Sequence, residues 1–411
     1  MLTHSIPFAA DHPADFFAQF PAAAAVFVLR GADEAAEPYV SKTANLRRRL
    51  QRLLAPAESQ SKRLNLRTRV ARIEYSLAGS DFESALLLYQ VLRQEFPESY
   101  NKRLRLRPAP LVRLNLENEY PRAYVTTKIG KLKGRSLYYG PFPSRVVAEK
   151  FMNDSLDLFK MRRCTFDLNP DPKFPGCIYS EMKMCLAPCF KGCTDQEYAA
   201  EVARVQDYFD SGGQSLLSAI EQERERLSAA LDFEAAAQQH AKIAKLKNVL
   251  SACDEICRRL DRLDTIIIQP QAIQPFPGQL ASASSLDARP LKSVALFRFC
   301  KGEWTGPEPF LMEMEGEAEP LEGRLRAALE RLMPVGARSS QHFAEGLAML
   351  KRWYYRSHKV GEIIFARDDG EMPMRKLMNA MGRVSRGEKI LETTKDTKEH
   401  EEASPSDLQP S

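Results

Sequence analysis

The sequence lacks any run of about 18 or more apolar residues, so no membrane-crossing helix is expected. It also lacks a basic start followed by a long apolar run; the first residues read MLTHSIPFAADHP. That argues against a secretory leader. The expectation is a cytoplasmic protein with no membrane partner. Charge of one sign is scarce too. There are 59 Lys and Arg against 54 Asp and Glu, a net +5, which is too small an excess to identify a nucleic-acid binder. A composition of 44% hydrophobic and 27% charged residues excludes wholesale disorder. A length of 411 residues leaves room for about two to four domains.

The charge that is present is unevenly placed. Lys42, Arg47, Arg48, Arg49, Arg52, Lys62, Arg63, Arg67, Arg69 and Arg72 follow one another with the single acid Glu58 among them. Lys102, Arg103, Arg105 and Arg107 form a second cluster. Concentrated basic surface attracts phosphate backbones without reading base sequence. The plainer alternative is a solvated helix face.

The fold class expected is α+β. Residues 1–102 read as one unit, with strands at 22–29, 39–40 and 70–76 and helices at 46–54 and 83–96. Asn45 caps the first helix, and the second stops before Pro97. Residues 103–205 begin with two strands, 111–116 and 122–127. A basic loop, the segment Leu137-Tyr138-Tyr139-Gly140-Pro141-Phe142 and a helix over 144–160 follow. Residues 206–262 hold a helical hairpin turned at Leu231-Asp232-Phe233, where Asp232 caps the second helix. So thin a hairpin has little core, and its apolar side suits docking. Residues 263–292 are rich in Pro, Ser and Ala and read as a linker. Residues 293–392 form a further small domain, and residues 393–411 a disordered tail. The segment Trp353-Tyr354-Tyr355-Arg356 fits base stacking or a core helix equally well.

Five of the eight cysteines lie close together: Cys164, Cys177, Cys185, Cys189 and Cys193. In a chain of this kind a disulfide set is not the first reading. Four soft thiolates favour an iron–sulfur cluster or zinc. Structural zinc usually shows two close pairs, whereas only Cys185 and Cys189 are close once Cys193 is set aside. The expectation is a 4Fe-4S cluster on Cys164, Cys177, Cys185 and Cys189, with zinc as the alternative and reduced thiols as the plain one. Cys253, Cys257 and Cys300 read as ordinary thiols.

Taken in order, these segments resemble the N-terminal half of the UvrC-like and Cho-like excinuclease family, the nuclease component of bacterial nucleotide excision repair. The resemblance covers about residues 20–255. It rests on Tyr39-Val40-Ser41-Lys42, Asn45-Leu46-Arg47-Arg48-Arg49, Ala85-Leu86-Leu87-Leu88 and Tyr100-Asn101. Tyr138-Tyr139-Gly140-Pro141-Phe142, the cysteines and Leu231-Asp232-Phe233-Glu234-Ala235-Ala236 complete the set. The resemblance implies a GIY-YIG nuclease domain in residues 1–102, a cysteine-cluster domain in 103–205 and a UVR-like hairpin. That hairpin, through Leu231, Phe233 and Glu234, would dock on a helicase resembling the UvrB component of the same excinuclease.

The resemblance assigns catalytic roles to Tyr39, Lys42, Arg49 and Asn101, and DNA contacts to Lys42, Arg47, Arg48, Arg49 and Arg52. Three positions depart from the family pattern. Phe27 stands for the first tyrosine, Ser41 for a glycine, and Tyr89 for the glutamate that holds the metal. A neutral phenol is a poor ligand for Mg²⁺ or Mn²⁺, and Glu83 is six residues from the right place. The family's ribonuclease-H-like half has no counterpart in residues 263–411. The hairpin departs at Gln238, His240 and Ala241, where charged residues are usual. The expectation is a DNA-binding homologue whose nuclease site is silent or severely weakened. The alternatives are an active endonuclease making a single 3′-type nick with Mg²⁺ or Mn²⁺, and a non-catalytic interaction protein.

Overall fold

The structure is a computed structural model. It describes residues 2–388 except 14, 34, 57–63, 132–133, 272–292, 314–319 and 337–338. Lys62, Arg63, most of the expected linker and the expected tail lie outside the described residues.

The first unit contains β1 (His4–Pro7), β2 (Ala25–Arg30), β3 (Tyr39–Thr43), α1 (Leu46–Leu54), β4 (Arg72–Leu77), α2 (Asp81–Glu95) and α3 (Tyr100–Leu104). Its antiparallel sheet runs β1-β4-β2-β3. Asn45 accepts the Arg48 amide and starts α1, and Leu46, Leu50, Leu53 and Leu54 then bury one face of that helix against Phe27 and Leu29. Ser80 caps α2 in the same way, and Leu87, Leu88 and Val91 cover the opposite sheet face around Val26 and Val28.

The second unit contains β5 (Leu111–Asn115), β6 (Arg122–Thr126), β7 (Leu137–Gly140), α4 (Arg145–Leu156), α5 (Ile178–Glu181) and α6 (Asp195–Asp210). The hairpin helices α7 (Gln214–Ala229) and α8 (Phe233–Leu250) project from it. The chain then returns through β8 (Arg258–Arg259), which pairs with β7 in the sheet β6-β5-β7-β8. Asp210, at the end of α6, accepts from Tyr139 Oη at 2.7 Å and from Arg259 Nη1 at 2.8 Å. This carboxylate therefore ties the entry and exit of the hairpin to β7.

The third unit is β9 (Asp264–Pro270), β10 (Ser293–Cys300), β11 (Glu303–Leu311), α9 (Leu321–Arg331), α10 (Ser340–Tyr354), β12 (Glu362–Phe365) and α11 (Met374–Ser385). Its sheet runs β11-β10-β9-β12. β9 lies inside the stretch read as a linker, because its buried Ile266-Ile267-Ile268 run carries no polar alternation. One sheet face, with Ile266, Ile268, Val294 and Leu296, packs under α9 and α11. The other, with Ile267, Phe297 and Phe299, joins α10 and α2 in one core.

Among the described residues the architecture is α+β with three sheets, but the metal-cluster reading of the second unit is corrected. Among the described residues, no group of three or more His, Cys, Asp or Glu is placed to hold a metal ion. Cys164, Cys177, Cys185 and Cys189 do line one cavity, but its volume is about 10 Å³, room for about one water-sized sphere. Two of the four sulfurs also accept from nearby protein donors. Arg162 Nη1 donates to Cys164 Sγ at 3.2 Å, and the Ala187 amide to Cys185 Sγ at 3.3 Å. Burial pushes the Cys185 thiol up to about 11. Neither the 4Fe-4S cluster nor zinc fits this arrangement.

Candidate nucleic-acid interface

The first unit divides the expected catalytic set between two sheet faces. In β2 and β3, Leu29 pairs with Tyr39, Phe27 with Ser41, and Val26 with Lys42. Side chains alternate along a strand, so Tyr39 lies on the α1 side with Phe27 and Leu29. Lys42 takes the α2 side with Val26. Phe27 is fully buried, its ring 6.1 Å from that of Tyr39, and serves as core.

On the α1 side, Arg49 Nη2 donates to Tyr39 Oη at 2.9 Å. Arg48, Arg49 and Arg52 line an open cavity of about 630 Å³ beside Thr43 and Asn45. Arg47 is occupied elsewhere: its Nε donates to the Phe20 carbonyl at 2.7 Å and its Nη2 to that of Ala18 at 3.1 Å. Arg47 therefore braces α1, while its three neighbours present a positive concavity of the kind that accepts phosphate oxygens.

On the α2 side, Lys42 Nζ donates to Asp81 Oδ1 at 2.6 Å, and Arg356, just beyond α10, bonds to the other oxygen. Burial raises the Asp81 pKa, but the two cations outweigh it and hold the carboxyl below its ordinary value. Tyr89 is buried and points away from the sheet. Its Oη donates to Glu345 Oε2 at 2.9 Å and accepts from Arg93 Nη1 at 3.2 Å. Tyr100 Oη donates to Glu345 Oε1 at 3.0 Å, and Gln341 Nε2 donates to the same oxygen at 2.9 Å. Asn101, the next residue on α3, is exposed. Burial first, and Glu345 second, push the Tyr89 phenol well above the ordinary range, so it stays a proton donor.

The structure thus joins Tyr39 to Arg49, places Lys42 with Asp81, and sends Tyr89 to Glu345. Neither the motifs nor the resemblance points to Asp81, Glu345 or Arg352 as site residues, whereas Arg356 ends the segment read as fit for base stacking or a core helix. For Glu345 and Arg352 the signal is a largely polar stripe on and just beyond α10, where Gln341, Glu345, Met349, Arg352 and Arg356 recur at helical spacing. At the hairpin tip, Leu231 is 72% and Phe233 65% exposed, Glu234 is also exposed, and Asp232 Oδ1 accepts the Ala235 amide. Among the described residues no helix is long and apolar enough to cross a membrane.

Residues 109–208 match the family model described as UvrC/Cho excinuclease, middle domain. UvrABC system protein C of Pseudomonas putida is 33% identical over 212 residues, 51% of this chain and 34% of that protein. The protein of the same name from Rickettsia bellii is 28% identical over 216 residues, 51% of this chain and 33% of its own. That from Alcanivorax borkumensis is 29% identical over 212 residues, with shares of 51% and 34%. The chain spans about a third of the length of these curated relatives. No solved structure matches it. About half of this chain is homologous to the UvrABC system protein C family.

Proposed function

We propose that this chain is a DNA-binding homologue of the excision-repair nuclease, whose GIY-YIG-like unit, residues 1–102, does not cut. The observation that carries the reading is Tyr89. Where the resemblance puts a metal carboxylate, a buried phenol is tied to Glu345 of α10. Its helix, α2, covers the opposite sheet face from the one that holds Tyr39 and α1. A metal contributes several kcal/mol to transition-state charge stabilisation in phosphodiester chemistry. Its loss, with the missing hydroxyl at Phe27, costs orders of magnitude in rate. Phosphate binding needs none of this, and Arg48, Arg49 and Arg52 still face an open concavity. The exposed tip at Leu231, Phe233 and Glu234 supports docking on a UvrB-like helicase.

The test is the full chain on ultraviolet-irradiated supercoiled plasmid with divalent cations, beside Arg49→Ala. The expected result is no nicking, together with salt-sensitive binding. Its log–log salt slope should fall by about one in the variant, for one phosphate contact removed. Nicking by the native chain that disappears in Arg49→Ala would overturn the reading.

A further inference from the structure

A second cavity, of about 230 Å³, lies between α2, α3 and α10, away from the α1 concavity. Its wall is apolar and aromatic: Phe82, Leu88, Met349 and Trp353 line it. Its rim is cationic. Lys42, Arg103, Arg352 and Arg356 line it together with one carboxylate, Asp81, which Lys42 and Arg356 share. Arg103 bonds to the exposed Glu37 and lies over the Phe96 ring at 3.9 Å. Arg352 is exposed and has no ion pair among the described residues.

Two simple occupants fit badly. A purely apolar molecule leaves the rim cations without a counter-charge. Inorganic phosphate leaves the apolar wall without a partner. A flat aromatic body joined to an anion satisfies both. The volume lies just under the roughly 300–1,000 Å³ of ordinary small-molecule pockets, which suits one ring system rather than a base pair. A base inside a duplex cannot enter, because it must first leave its stack.

We propose that this cavity binds one nucleotide with an unpaired base, the base against Trp353 and Phe82 and the phosphate at Arg352 and Arg103. The inference deepens the nucleic-acid reading above and rests on it where the nucleotide belongs to a strand. A free mononucleotide shares the same chemistry. The third unit supplies α10, so the pocket exists only where α10 packs on α2.

The chain has two tryptophans, Trp304 and Trp353, and Trp353 lines the cavity, so stacking of a base is read as fluorescence quenching. The full chain is titrated with deoxyadenylate, a single strand, a duplex carrying one bulged adenine and a perfect duplex. Arg352→Glu changes an exposed helix position and leaves the core intact; Ala85→Phe fills the cavity and keeps every cation. Quenching is expected with the strand and the bulged duplex, and not with the perfect duplex. Each variant should weaken the quenching ligand about tenfold, the loss of one stacked base or one charge-assisted contact. Quenching by deoxyadenylate without strand binding would keep the pocket, assign it to free nucleotides and remove the nucleic-acid reading. Strand binding with no quenching, or with quenching that both variants leave unchanged, overturns the pocket and spares that reading. No binding of any ligand overturns both.

Discussion

Removing the Glu345 carboxylate should unseat α10 from the first unit. Glu345 is 7% exposed and accepts from Tyr89, Tyr100 and Gln341. Glu345→Ala strands two phenols that no longer have an acceptor. Each orphaned buried donor costs about 1–3 kcal/mol. Part of that is returned because the carboxylate no longer has to be desolvated. Two such donors give about 2–6 kcal/mol before that return, so the net expectation is a loss of about 2–4 kcal/mol. Glu345→Gln keeps an acceptor of the same shape and should cost about 1–2 kcal/mol. Tyr89→Phe removes one bond to a charged acceptor and should cost about 1.5–3 kcal/mol. Urea unfolding followed by tryptophan fluorescence gives all three values, because Trp304 and Trp353 share the core that α10 forms with α2. The decisive quantity is the coupling in the double-mutant cycle of Tyr89→Phe with Glu345→Ala. A coupling of about 1.5–3 kcal/mol is expected; one below about 0.5 kcal/mol refutes the reasoning, because additive losses mean no shared bond.

Asp81 and the hairpin tip give two further outcomes. The Asp81 carboxyl is held below its ordinary value by Lys42 and Arg356, so its contribution is present above that value and is lost as pH falls through the lowered one. Asp81→Asn should therefore lower the urea midpoint at neutral pH, with the difference from native closing in strong acid; a difference that persists there contradicts the ion-pair account. Leu231→Ser with Phe233→Ser alters exposed tip residues, so stability should move by less than about 0.5 kcal/mol. Capture of a UvrB-like helicase should be lost, and retained capture removes the tip from the docking surface.

Local signals carry the fold furthest. α1 occupies 46–54 as expected, because an Asn cap and leucines at helical spacing act within one turn of themselves. The hairpin turn at Asp232 is equally local. β1 escapes the sequence pattern because four mostly exposed residues with a proline gain their pairing only from β4. β9 escapes it because a strand buried on both faces looks like any short apolar run. The separation of Lys42 from Tyr39 is legible: residues three apart on a strand face opposite ways. The resemblance groups them, and strand parity separates them. Glu345 is not legible, since it meets Tyr89 across 256 residues of chain. The cysteine spacing does point to four sulfurs around one cavity. Spacing carries no information on how little room lies between them or on which protein donors reach them first.

The Asp210 clasp makes the hairpin a lever with a fixed pivot. α7 alone has 16 residues, which is about 24 Å of arm at about 1.5 Å per residue. Leu246 and Val249 bury the base of α8 in the second unit's core, while Leu231 and Phe233 at the tip stay exposed. A tilt of about 10° at the pivot therefore carries Phe233 through about 4 Å, close to one side-chain width. Tyr139 and Arg259, which hold Asp210 from either side, set the aim of a surface they never touch.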